Sequence, residues 1–139
     1  MKALIIDASV AVKWFLPEVH SNDAIRILKS KQELLAPDLI WAEVGNTLWK
    51  KVLRKEITTE ESSQILKDFL RFPIQTYGSK PLLDTAWTLA VQWKVSVYDG
   101  LYLALAVGLD FPLVTADRRF HESLQKNLPE KLIWIEDIK

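Results

Sequence analysis

No cysteine occurs in this chain. That excludes disulfide frameworks, thiolate nucleophiles, cysteine-type zinc sites and iron–sulfur clusters together. Histidine is scarce: His20 and His121 are the only two, which supplies neither a histidine-rich metal centre nor a Ser-His-Asp triad well. Both read as ordinary surface residues. The four glycines, Gly45, Gly78, Gly100 and Gly108, are scattered, so no glycine-rich loop is present to cradle a nucleotide or flavin phosphate. Charge of one sign is not in excess. The 18 Lys and Arg balance 18 Asp and Glu, which argues against a polycation that binds nucleic acid by bulk charge and leaves only a local basic patch for that role. Long hydrophobic runs are missing as well. Ala3-Leu4-Ile5-Ile6 is cut off by Asp7, too short for a signal-peptide core or a membrane span. The expectation is a soluble, cytoplasmic protein with no membrane association.

What is present describes a compact core. With 139 residues, 49% hydrophobic and 26% charged, residues 1–139 read as one domain, and collagen-like or disordered classes are excluded. Ala3 to Ile6 has the apolar run of a buried parallel strand. Ser9 to Leu16 reads as a short helix stopped by Pro17, and Ser21 as the cap of the next helix. Leu34 to Ala36 is a brief strand closed by Pro37. A long helix from Asp38 to about Lys55 carries the stripe Ile40, Trp41, Val44, Leu48 and Val52. Thr58-Thr59-Glu60-Glu61 has capping-box spacing for a helix ended by Pro73. Ile74 to Thr76 is a weak strand, and Ser79 and Pro81 open a helix reaching Trp93. Val95 to Val97 reads as a strand or an extended turn, Tyr98 to Val107 as a buried helix. Pro112 to Thr115, Asp117 to Lys126 and Leu132 to Ile135 complete the alternation as strand, helix and strand. Strands separated by helices predict a three-layer α/β/α sandwich around a central parallel sheet of about five strands. In such sheets, function sits beyond the carboxyl ends of the strands.

Four acids stand where that rule expects a site. Asp7 follows the first strand, Asp117 follows the strand ending at Thr115, and Asp99 opens the buried helix. Glu43 lies inside the long helix among Trp41, Ala42, Val44 and Gly45, and a charge seldom stands in such company without a partner. Asn46, three residues on, is placed to orient its carboxylate, and Gly45 suggests close backbone packing. Each Asp taken singly is also a good helix N-cap, and Glu43 can be an exposed carboxylate read in slightly wrong phase; convergence on one sheet edge favours a site. Clustered carboxylates repel, and a hard divalent cation with oxygen ligands resolves the conflict. Mg²⁺ or Mn²⁺ there points to metal-assisted phosphodiester hydrolysis.

The residues carry a family resemblance over nearly the whole chain. Asp7-Ala8-Ser9-Val10-Ala11-Val12-Lys13-Trp14 resembles the opening of PIN-domain proteins. Ala36-Pro37-Asp38-Leu39 with Glu43-Val44-Gly45-Asn46 resembles their second motif, Tyr98-Asp99-Gly100-Leu101-Tyr102-Leu103-Ala104 their third, and Leu113-Val114-Thr115-Ala116-Asp117-Arg118-Arg119-Phe120 their fourth. The likeness is closest to VapC-type toxins of toxin–antitoxin systems. It implies a Mg²⁺- or Mn²⁺-dependent endoribonuclease in which Asp7, Glu43, Asp99 and Asp117 are catalytic and metal-binding, with Ser9, Asn46 and Thr115 in support. It also implies attack by water on phosphorus to leave 5′-phosphate and 3′-hydroxyl ends, a homodimer, and a VapB-like antitoxin covering the acidic groove. Gly100 departs mildly from the Ala often found after the third acid.

Lys13, Arg118 and Arg119 are candidate RNA contacts, as is the basic helix end Lys50, Lys51, Arg54 and Lys55, although cations there also suit a helix C-terminus. Of the six Trp, Trp87 and Trp93 are expected in the core, whereas Trp14, Trp41 and Trp49 are expected at a groove or dimer surface. A phosphotransfer enzyme with an Asp nucleophile would want a second acid where Ser9 stands. The rival reading, a non-catalytic PIN-like binding or assembly protein, would be expected to have lost an acid, and none is lost.

Overall fold

A computed structural model describes residues 2–138. β1 (Ala3–Ile6) is buried along its whole length, as a central parallel strand must be. A short helix α1 (Ala8–Ala11) and a 3₁₀ turn (Val12–Trp14) lead to α2 (Ser21–Lys29) and then β2 (Glu33–Pro37). Next come α3 (Leu39–Leu53), α4 (Thr59–Leu70), β3 (Ile74–Tyr77), α5 (Ser79–Trp93) and α6 (Val97–Leu109). The chain closes with β4 (Leu113–Thr115), α7 (Arg118–Leu124), β5 (Leu132–Trp134) and a 3₁₀ turn (Ile135–Asp137).

The sheet has five strands in the order β3-β2-β1-β4-β5, and every pairing is parallel. The first three strands run outward from β1 in one direction; the chain then returns through α5 and α6 to add β4 and β5 on the other side. Right-handed crossovers place the helices of the two halves on opposite faces, which makes the expected three-layer α/β/α sandwich. The strand order reverses between β1 and β4, and their carboxyl ends flank the crevice that such a reversal leaves open. Asp7 and Asp117 lie just beyond those two ends.

Several elements differ from expectation for local reasons. The helix after Asp7 is only α1 and its 3₁₀ extension, ending at Trp14 rather than Leu16. His20, at φ 69°, precedes α2, and Ser21 instead bridges the loop, accepting from Glu18 N and donating to Leu16 O. Val95 and Ser96 form no strand; Ser96 caps α6, its Oγ accepting from Asp99 N. The Thr58–Glu61 capping box forms reciprocally at 3.0 Å. Trp87 is 58% exposed on α5, not in the core. It is one residue beyond Ala86, so it turns about 100° away from the buried face of Ala86 and Ala90. His121 is buried against Trp134 rather than on the surface. No Cβ contact would crowd Gly45, so close packing does not explain it. Gly100 is where backbones meet, because a Cβ there would stand 2.4 Å from the Ala86 carbonyl oxygen.

Candidate active site

Asp7 occupies the N-cap position of α1 yet makes no capping bond. Its Oδ2 accepts from Ser9 Oγ and from Thr115 Oγ1, each at 2.8 Å. Ser9 Oγ also accepts from Ala116 N at 3.0 Å, and Thr115 Oγ1 accepts from Asp117 N at 3.0 Å. These bonds tie the loop after β1 to the loop after β4. Two hydroxyls satisfy one carboxylate oxygen, and the same hydroxyls hold the next strand's loop in register. Asp117 does cap α7, its Oδ1 accepting from Phe120 N at 3.2 Å; capping and site membership coexist there.

Glu43 reaches the cluster from α3. The expected help from Asn46 is not given: Asn46 is exposed, and no hydrogen bond among the described residues joins it to Glu43. The partner is Tyr102 on α6, whose hydroxyl donates to Glu43 Oε1 at 2.7 Å. Burial and the charges of Asp7 and Glu43 keep that hydroxyl protonated far above its ordinary range, so it acts as a donor. Sequence reasoning gave Tyr102 no role. The available signal was the second of two phenols in α6, set in its apolar stretch three residues after Asp99 and so on its face.

The four carboxyls sense one another. Burial pushes Asp7 upward against its two hydroxyl bonds, and the charge of Asp117 adds to the rise. Burial likewise raises Glu43, opposed by the Tyr102 bond and reinforced by Asp7 and Asp99. Asp99 rises to about 6, through burial and then the charges of Asp7 and Asp117. Among the described residues none of the four enters an ion pair. Converging carboxylates with no ion-pair partner could hold a hard divalent ion. Among the described residues no three of these side chains are arranged to cage an ion by themselves. A divalent ion held here would therefore need water or substrate oxygens to complete its coordination.

Two hollows border the cluster. One, of about 320 Å³, is lined by Asp99, Asp117, Lys94, Ser96 and Arg119. The other, of about 290 Å³, meets the site at Ser9 and includes Lys13. Lys13 is held by Glu18 at 3.3 Å. Arg118 lies 4.0 Å above the Trp134 ring, with its guanidinium turned to that face.

The model of the PIN domain family matches residues 4–123. The chain belongs to the PIN-domain family. Relatives agree: Ribonuclease VapC3 of Pyrobaculum aerophilum is 35% identical over 121 residues, 86% of this chain and 92% of that protein. Among solved structures, PAE2754 of Pyrobaculum aerophilum has a TM-score of 0.73 at 24% identity, covering 97% of this chain and 85% of that one. A toxin–antitoxin complex from Klebsiella pneumoniae has a TM-score of 0.70 at 13% identity, covering 97% and 99%. At those identities the structures speak for the fold. No helix among the described residues of this PIN protein is long and apolar enough to cross a membrane.

Proposed function

We propose that this PIN protein is a divalent-metal-dependent endoribonuclease, the toxin of a toxin–antitoxin pair. The observation that carries the reading is the convergence of Asp7, Glu43, Asp99 and Asp117, with Asp7, Glu43 and Asp99 raised and none of the four in an ion pair among the described residues. The name of the VapC3 relative supports RNA as substrate. Bound Mg²⁺ or Mn²⁺ would polarise a phosphoryl oxygen, acidify water and offset charge on the leaving oxygen. Ser9 and Thr115 fix the Asp7 carboxylate by donating to its Oδ2. Tyr102 fixes Glu43 through Oε1, and Asp99 and Asp117 join the cluster from α6 and the loop after β4. The burial that raises Asp7, Glu43 and Asp99 also keeps bulk water from screening them. A non-catalytic assembly role gives no reason to maintain four mutually repelling acids.

The partners proposed are a VapB-like antitoxin, supported by the fold match to a toxin–antitoxin complex, and a second copy of this chain. The antitoxin would place a basic side chain among the carboxylates, substituting for the ion's charge. Dimerisation is supported by Leu83, Trp87 and Val91, exposed four residues apart along one face of α5. The test is cleavage of single-stranded RNA by purified protein with Mg²⁺, with excess EDTA, and by Asp7→Asn. Cleavage that EDTA and Asp7→Asn each abolish, in a variant that still melts cooperatively, is the expected result. Undiminished cleavage in EDTA overturns the metal mechanism.

A further inference from the structure

The face of α3 that delivers Glu43 does not end there. Thr47, Lys50, Lys51 and Arg54 follow at helical spacing on the same side. At a rise of 1.5 Å per residue, the three cations stand about 10–16 Å along the axis from Glu43. They face Lys13, from the turn after α1, across the hollow of about 290 Å³ that opens on Ser9. Four cations line it against one carboxylate, Glu18.

That carboxylate organises the hollow. Glu18 accepts from Lys51 Nζ at 2.6 Å and from Lys13 Nζ at 3.3 Å, and both lysine side chains are largely buried, 20% and 13% exposed. Burial alone would push Glu18 up, but the two ammonium groups more than offset it and hold it below its ordinary value. Each ammonium has three donors, so donors remain for another acceptor. Both are already ordered in the folded chain, which lowers the entropy lost when an anion binds. Lys50 and Arg54, with no ion pair among the described residues, add mobile charge at the mouth. Favourable charges at a helix C-terminus explain cations on α3, but not a hollow that recruits Lys13 from another element and shares Ser9 with the acid cluster.

An RNA strand needs such an anchor here. Its phosphates are repelled by the carboxylates they must approach, and the chain as a whole has no net charge to attract them. We propose that the hollow formed by Lys13, Lys50, Lys51 and Arg54 around Glu18 seats a second backbone phosphate of the RNA, away from the bond that is cut. The separation of about 10–16 Å equals roughly three to five stacked nucleotides, fewer in an extended strand. The inference rests on the endoribonuclease reading for its substrate.

The experiment compares the wild type with the Lys50→Ala/Arg54→Ala double variant. Lys50 is exposed on α3 and Arg54 is its exposed C-cap, and thermal melting checks the fold. Fluorescence anisotropy in EDTA measures binding of a labelled single-stranded RNA, and of copies in which one phosphate at a time is a neutral methylphosphonate. The double variant should bind about tenfold more weakly at low salt, with a salt slope shallower by about 1 per phosphate-contacting cation removed. One methylphosphonate position, displaced from the cut bond, should weaken the wild type more than the variant, which keeps only Lys13 and Lys51 at the seat. With Mg²⁺, kcat/KM should fall by a similar factor, carried by KM. A variant with the wild-type salt slope, or equally sensitive to every methylphosphonate, overturns the phosphate seat even if cleavage is normal; the hollow would then fit an acidic protein segment better. Absence of cleavage by the wild type overturns the nuclease reading, while the anisotropy comparison still decides the seat. No RNA binding by the wild type at low salt overturns the seat, while cleavage with Mg²⁺ still decides the nuclease reading.

Discussion

Removing a charge from the acid cluster should stabilise the fold. Asp99 is the best place to test this, because its carboxyl rises from an ordinary 3.8 to about 6. At 1.36 kcal/mol per tenfold, the folded state disfavours its ionised form by about 3 kcal/mol. Asp99 is partly exposed, and solvent screening reduces that to about 1–2 kcal/mol. The sign follows from linkage: the folded chain holds a proton that the unfolded chain releases, so this stability is complete below pH 3.8 and is lost as pH rises through about 6. Asp99→Asn removes the charge and keeps the shape. In EDTA at pH 8 the variant should melt about 3–8 °C above the wild type, taking roughly 3–4 °C per kcal/mol for a domain of this size. At pH 3.5, where both states of the wild type are protonated, the gain should vanish. Added Mg²⁺ should raise the wild type's Tm and leave the variant's nearly unchanged, narrowing the gap. Differential scanning calorimetry across pH 3.5–8 reads all three. A variant no more stable at pH 8, or one whose advantage persists unchanged at pH 3.5, refutes the idea that uncompensated repulsion is stored at this site.

Tyr102→Phe should leave the fold within about 1 kcal/mol, slow cleavage, and move the acid limb of the pH–rate profile upward, since the lost hydrogen bond is what lowers Glu43; an unchanged profile would show that Tyr102 does not position that carboxylate. The glycines should respond with opposite signs: Gly100→Ala forces a methyl to within 2.4 Å of the Ala86 carbonyl oxygen and should cost about 1–3 kcal/mol. Gly45→Ala meets nothing within 4 Å and should gain up to about 1 kcal/mol of helix propensity, both read by chemical denaturation. Trp87→Glu on the exposed face of α5 should convert a dimer to a monomer in light scattering at tens of micromolar, and a wild type already monomeric there would remove dimerisation from the proposal.

The strand-end acids were legible because a parallel strand announces itself as a short apolar run, and Asp7 and Asp117 directly succeed two such runs. That β1 and β4 lie side by side was not legible, since strand order is a tertiary outcome; their pairing brings Thr115 to Asp7 across a sequence distance of 108 residues. Helical periodicity had already turned Trp87 away from the stripe of Ala86 and Ala90, but the general preference of tryptophan for the interior outweighed phase in that reading. The reverse error hid His121, whose neighbours Phe120 and Leu124 mark the buried side of α7.

Glu43 shows where a reading along the chain must fail. Its oddity is one-dimensional: a carboxylate in an apolar stripe is visible to anyone counting residues. Its partner is not, because a helix offers a carboxylate its i+3 and i+4 neighbours only when these lie flat on the same surface. Once Glu43 points inward, the nearest donor belongs to whatever packs against α3, here Tyr102 of α6. Charge obeys the same logic. The chain sums to zero, yet folding places four acids at the β1–β4 crevice and four cations along the hollow that borders it at Ser9. A balanced composition is therefore compatible with a strong local field, and the segregation is read from helix faces: α3 carries Glu43 at one end of a stripe that runs through Lys50 and Lys51 to its C-cap, Arg54, so a single element spans the boundary between the two signs.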